Sequence, residues 1–230
     1  IHTIFPENTK NFRNPALDLD SIYLGGPRMN PELYERDKKT FKIGQTSEIM
    51  GLGTFNNDLP RQDARALIGD SRNDENLIVS QTQLAFMKFH NSRVATSPNT
   101  SFEELRQEVV LHYQSIILTD YLPKIIDPDI LNDVLQNGRC VYTNQMNDCI
   151  PLEFSVAVYR MGHSMVRSSY EWNRIYNTEG ALGAVTLPQL FAFSHEHNPC
   201  SFDRRPAQQF STLPSSWLPD WNYFYDFSSI

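Results

Sequence analysis

Sulfur, basic charge and long apolar runs are all scarce in this chain of 230 residues. Three cysteines, Cys140, Cys149 and Cys200, are too few for a disulfide scaffold. Cys140 and Cys149 can pair across a turn and leave Cys200 free, and three reduced thiols fit equally well, so cysteine usage does not fix a compartment. No apolar stretch approaches the roughly 20 residues that a membrane helix needs, and no signal peptide is visible. A formal net charge of -7, with no basic stripe carrying interleaved aromatics, argues against nonspecific nucleic-acid binding. There is no internal repeat and no convincing run of strands. The first residue is Ile1 rather than Met, which predicts a processed, trimmed or partial product.

What is present suffices for a packed core: 40% hydrophobic and 12% aromatic residues, with 20% charged, which is too little charge for a disordered tail. Residues 1–70 read as an irregular wrap, broken by Gly25-Gly26-Pro27, Asn30-Pro31, Gly51, Gly53 and Asn56-Asn57-Asp58. Helical signals begin at Ser71. Ser71 and Asp74 are spaced as a capping box, and Arg72 to Val94 contains neither Gly nor Pro, with Leu77, Leu84, Ala85 and Phe89 at helical spacing.

A second capping box, Ser101 with Glu104, opens an amphipathic stripe of Leu105, Val109, His112, Ile116 and Tyr121 that Pro123 should end. Asp129 to Leu135 predicts a short helix stopped at Asn137-Gly138. Pro151 suits the first position of another, with Glu153 in its first turn and Val156, Tyr159, His163 and Val166 along one side. Residues 186–193 predict a last short helix, and the chain beyond Phe193 reads as loop. The expectation is one mainly α, loop-rich domain over 1–230: wrap 1–70, helical core 71–193, irregular tail 194–230.

Two runs carry the chemistry. In Arg72-Asn73-Asp74-Glu75-Asn76 a cation and a carboxylate three residues apart share a helix side. The bland reading is a solvated ion pair of little worth. The functional one is a guanidinium, protonated at any working pH, poised to stabilise negative charge on a peroxide oxygen. In Tyr159-Arg160-Met161-Gly162-His163 an imidazole follows a residue without a side chain, where a planar ring can approach the backbone. Arg160 is placed to meet an acidic group such as a propionate. A lone histidine on such a face is more often packed than a ligand. Its neighbours favour axial ligation of an iron-bearing cofactor.

Other candidates weigh less. His195-Glu196-His197 with Cys200 matches no usual zinc spacing and reads as a polar loop. His90 and His112 read as packed. Trp217, Trp221, Tyr223, Phe224 and Tyr225 read as core or docking surface.

The run from Ala66 to Asn76, continued by Gln83-Leu84-Ala85-Phe86 and Phe89-His90-Asn91, resembles the distal-side helix of the animal-type haem peroxidases, especially their bacterial members. Glu153-Phe154-Ser155-Val156-Ala157 followed by Tyr159 to Val166 resembles their proximal helix. Order and spacing agree, and the similarity covers most of 12–225. The resemblance implies a haem-peroxidase-like helical fold and haem b. His163 then matches the axial iron ligand, Arg72 the distal arginine, Glu75 a glutamate that in some members is esterified to the haem, and Arg160 an arginine near a propionate. Asn76 stands where a few members place a vinyl-bonding methionine, so that link is not expected. The segment Asn14 to Tyr23 resembles the family's calcium loop, with Asn14, Asp18, Asp20 and the carbonyl of Ala16 as candidate oxygen donors. The alternative there is an Asx-rich turn.

Departures matter too. In the family a distal histidine, the general base and acid of peroxide cleavage, precedes the calcium loop. His2 lacks the expected Asp-His context. Family chain beyond Trp221, including a helix whose asparagine bonds the proximal imidazole, has no counterpart either. The chain is thus expected to be a fragment, whose partner is the remainder of the same polypeptide, or a diverged short form. The activity implied is reduction of hydrogen peroxide with oxidation of a small organic or halide donor, and secretion is the implied location. The alternatives are a non-catalytic haem-binding or structural helical module, and a fatty-acid dioxygenase of the same superfamily.

Overall fold

The computed structural model describes residues 16–49, 51–63, 65–138, 152–192 and 212–227. Asn14, His2, the three cysteines, Pro151 and the His195-Glu196-His197 run lie outside the described residues.

The described chain is mainly α. Its helices are α1 Asp20–Tyr23, α2 Leu77–Thr96, α3 Phe102–Ile116, α4 Leu122–Ile125, α5 Pro128–Asn137, α6 Leu152–Val156 and α7 Leu187–Leu190. Two antiparallel pairs of two-residue strands accompany them: β1 Arg61–Gln62 with β2 Arg65–Ala66, and β3 Ser169–Tyr170 with β4 Val185–Thr186. The chain divides into two compact units, the described parts of Ile1–Asp18 with Val110–Val166, and of Leu19–Val109 with Arg167–Ile230.

In the second unit α2 supplies two cores. At its start, Leu77 packs with Trp172, Val185, Leu190 and Leu213, and Ile78, Tyr176, Trp217 and Phe224 lie around them. Toward its end, His90 sits edge-on to Tyr23 and Phe41, and Phe102 packs edge-on to Tyr23 and Tyr34. Burying each large apolar side chain contributes about 1.5–3 kcal/mol. The buried face of α2 is partly polar, and each of its buried polar side chains has a partner. Ser80 donates to the Leu77 carbonyl, Gln81 donates to the carbonyl of Asn57, and Gln83 accepts from Asn73. His90 donates from Nε2 to the Lys39 carbonyl at 3.0 Å, so its Nδ1 accepts from the Tyr23 hydroxyl at 3.0 Å. Burial pushes its pKa down, against the pull of the Lys39 carbonyl and Asp37. The packed reading of His90 holds. The aromatic run near 217–225 divides: Trp217 and Phe224 join the core, while Tyr223 and Tyr225 stay exposed.

Helix boundaries follow local chemistry. Ser101 and Glu104 form the expected capping box, each side chain reaching the other's backbone N–H. Asp127 caps α5, and Gly138 ends it at a φ of 72° that a side chain would resist. Three expectations need correction. Pro123 does not end the third helix. The chain widens into a π turn over Ile117–Tyr121, and Pro123 falls in the first turn of α4, where its missing N–H costs little. His112 is exposed rather than packed, as are Ile116 and Tyr121, because the buried positions of α3 end at Val110. The helix expected from Arg72 is two elements, described next.

Among the described residues of the first unit little is buried: Val110 and Leu131 are, whereas Leu118, Ile130, Val134, Leu135, Val156 and Tyr159 are exposed.

Candidate functional site

Arg72 belongs to a 3-10 turn, Ser71–Asp74, that precedes α2, and Glu75 is the residue that closes it. The break has a local cause. Asn76 takes an extended backbone, and its side chain caps α2 by accepting from the Val79 N–H at 3.0 Å. Asp70, not Ser71, caps the turn, accepting from the Arg72 N–H at 3.1 Å. Gly69 just before it lies against the backbone carbonyl of Ser21, so no side chain fits there.

The turn has two sides. Arg72 and Glu75 face outward, the Arg72 side chain being 65% exposed. Asn73 and Asp74 face inward. Asn73 donates to Gln83 Oε1 at 2.7 Å. Asp74, 6% exposed, takes a two-point grip from Arg61, Nη1 at 2.7 Å and Nη2 at 3.0 Å. Arg61 grips Asp58 in the same way, through Nε at 3.1 Å and Nη2 at 3.2 Å. Asp58 also accepts from the backbone N–H groups of Leu59 and Leu213. Burial lowers the Arg61 pKa, but bonding and charge from Asp74 and Asp58 outweigh it, so the guanidinium is held above its ordinary value.

Sequence spacing paired Arg72 with Glu75, but the structure pairs it with Asp70. Nε meets Oδ1 at 3.0 Å and Nη2 meets Oδ2 at 2.6 Å. The Asp70 hydrogen bond and charge raise the Arg72 pKa, and Glu75 adds only a lesser electrostatic push. Asp70, Asp74, Arg61 and Asp58 were all missed as partners. The Asp58-Leu-Pro-Arg61 run and an Asp directly before Ser71 were the available signals.

His163 lies in the other unit, on a 3-10 segment Val158–Met165 that follows the short α6. The expected α-helical side of Val156, Tyr159, His163 and Val166 is therefore replaced. In a 3-10 helix, residues three apart eclipse, so Arg160 aligns with His163, and Gly162 with Tyr159 and Met165. His163 Nδ1 lies 2.8 Å from the Arg160 carbonyl. A carbonyl can only accept, so Nδ1 carries the proton and Nε2 presents its lone pair. This is the tautomer an axial imidazole needs, held by the type of bond that orients metal-binding histidines. A Cβ built on Gly162 meets nothing within 4 Å among the described residues. Met161, Met165 and Val166 nearby are exposed, an apolar surface suited to a flat ring. These residues fit haem.

Calcium fares differently. Among the described residues no cluster of three or more His, Cys, Asp or Glu groups is placed to hold a metal ion. The Ala16 carbonyl accepts from Gln114 Nε2 at 2.9 Å. Leu17 and Leu19, flanking Asp18, both take left-handed backbone conformations. No helix among the described residues is long and apolar enough to cross a membrane.

The family model for animal haem peroxidase matches residues 6–204. Thyroid peroxidase of Rattus norvegicus is 31% identical over 109 residues, 44% of this chain and 12% of that protein. Chorion peroxidase of Drosophila melanogaster is 32% identical over 117 residues, 45% of this chain and 14% of that protein. A peroxidase-like protein of Margaritifera margaritifera is 25% identical over 115 residues, again 45% and 14%. The aligned part of the chain thus spans 12–14% of the length of these curated relatives. The family match runs through the Arg72 turn, the His163 segment and most of the sequence around them, and the chain belongs to the animal haem peroxidase family.

Proposed function

We propose that this chain binds haem b through His163 Nε2 and contributes to reduction of hydrogen peroxide at the expense of a small organic or halide donor. The observation that carries the reading is the His163 Nδ1–H bond to the Arg160 carbonyl, which leaves the opposite nitrogen as a ligand. Haem, when bound, supplies the iron at which peroxide is activated. Reduction of one peroxide to two waters takes two electrons and two protons, and the donor loses those electrons singly or as a pair.

The chain's own residues would do the following. His163 anchors the iron. Gly162 lets the ring plane approach the backbone, and the Arg160 guanidinium meets a propionate. Arg72, kept charged beside Asp70, stabilises negative charge on the peroxide oxygens. Glu75, on the same outward side of the turn, is the candidate for an ester to a haem methyl. Calcium at Asn14, Ala16, Asp18 and Asp20 gains no support from the described residues, and the proposal is confined to haem.

Titration of the purified chain with haemin tests the reading. A Soret shift saturating at one haem per chain is expected for wild type, with a different coordination spectrum for His163→Ala. An identical shift in both sinks axial ligation. One observation favours a second reading, a haem-binding module without turnover: Asp70 already neutralises Arg72 in a two-point pair. Peroxide consumption by loaded wild type no faster than by free haemin would select it, and equal, faster consumption by wild type and Arg72→Ala would remove only Arg72 from the mechanism.

A further inference from the structure

The 3-10 turn Ser71–Asp74 has its chemistry on one side and its attachments on the other. Arg72 and Glu75 are exposed, so neither can hold the turn in place. A four-residue 3-10 turn has few internal bonds of its own. Something else must define where the outward side chains are presented.

The attachments are buried and reach far along the chain. Asp74 bonds Arg61 across 13 residues, and Arg61 bonds Asp58. Asp58 is 2% exposed and holds the Leu213 N–H across 155 residues. Asn73, next to Asp74, bonds Gln83 one helical stretch away in α2. One guanidinium thus makes two forks at once, a geometry an ammonium cannot reproduce. Two buried carboxylates against one cation is an expensive way to stabilise a fold, since apolar side chains of similar volume would serve as well or better. What the arrangement supplies is direction: planar two-point bonds fix orientation as well as distance.

We infer that Asn73 and Asp74 are positioning residues, which by gripping Gln83 and Arg61 hold the turn so that Arg72 and Glu75 keep a single presentation on its other side. The inference rests on the haem reading only for what Arg72 and Glu75 act upon. The grip itself belongs to the chain without haem.

The test has two arms that fail separately. In the first, hydrogen exchange of the full haem-free chain is compared between wild type, Asp74→Asn and Arg61→Lys. Asp74→Asn keeps the side-chain shape and leaves Arg61 paired with Asp58, so folding should survive. Exchange over 71–76 is expected to quicken about tenfold or more in both variants, with residues 84–94 of α2 unchanged within about twofold. Unchanged exchange over 71–76 overturns the inference. So does equal acceleration over 84–94, which would mean a general loss of stability.

In the second arm, which takes the haem reading as given, fluoride is titrated into the haemin-loaded proteins, as an anion whose affinity reports whether a cation acts at the iron. Its dissociation constant should rise about tenfold in Asp74→Asn, as in Arg72→Ala, the loss of one charged hydrogen bond. A wild-type value in Asp74→Asn, with a weakened one in Arg72→Ala, overturns the positioning role. Failure of wild type to take up haem defeats the haem reading instead, and the exchange arm alone then decides the grip.

Discussion

The turn that carries Arg72 and the segment that carries His163 are both 3-10 helix, yet they are held in opposite ways. Around Arg72 the turn is capped by Asp70, is followed at once by the Asn76 cap of α2, and is bonded to Arg61 and Gln83 outside itself. Around His163 the described bonds are local, from Arg160 N–H to the Ala157 carbonyl and from His163 to the Arg160 carbonyl, with exposed apolar neighbours. A 3-10 run of eight residues is twice the usual length for that geometry. On the proposed reading, a cation that must be aimed is braced from beneath, whereas a ligand needs only its ring tautomer set, which one neighbouring carbonyl can do.

The contrast can be broken by mutation. Leu77→Ala, at the junction of the Arg72 turn with the core, should cost about 2–5 kcal/mol in urea unfolding. A loss below about 1 kcal/mol would mean the turn is less firmly seated than its contacts indicate. Asn76→Ala should cost about 1 kcal/mol through the lost cap, read in the same experiment. No change there would show that the split between turn and helix is not maintained by that side chain. Met161→Ala, in the His163 segment, should fall within about 0.5 kcal/mol of wild type. A cost matching that of Leu77→Ala would erase the difference between the two regions.

Local signals in the sequence were legible where the partners are close. The Ser101 and Glu104 box, the stop at Gly138 and the short helix near Leu187 each depend on residues within one turn. The family motifs likewise located Arg72 and His163. The brace under Arg72 was legible only in its local pair, Asp58 with Arg61 three residues on, because Asp74 and Leu213 reach that pair through the tertiary fold. Apolar periodicity marked Leu77 and Leu84 on α2, but half of that helix's buried positions are polar, which hides its inner face from any hydrophobic pattern. The π turn before Pro123 escaped for a related reason. Proline forbids one backbone bond, and nothing in composition says whether the chain will stop or widen.

Asp58 also sets a schedule. Its carboxylate accepts from the Leu213 N–H, 155 residues further along. At ribosomal speeds of about 5–20 residues per second, that donor emerges roughly 8–30 s after Asp58 does. Until then the aspartate lacks one of the two backbone donors that hold it in the finished fold. Completion of the brace therefore waits on that stretch of chain, and the Arg72 turn gains its full support only as it arrives.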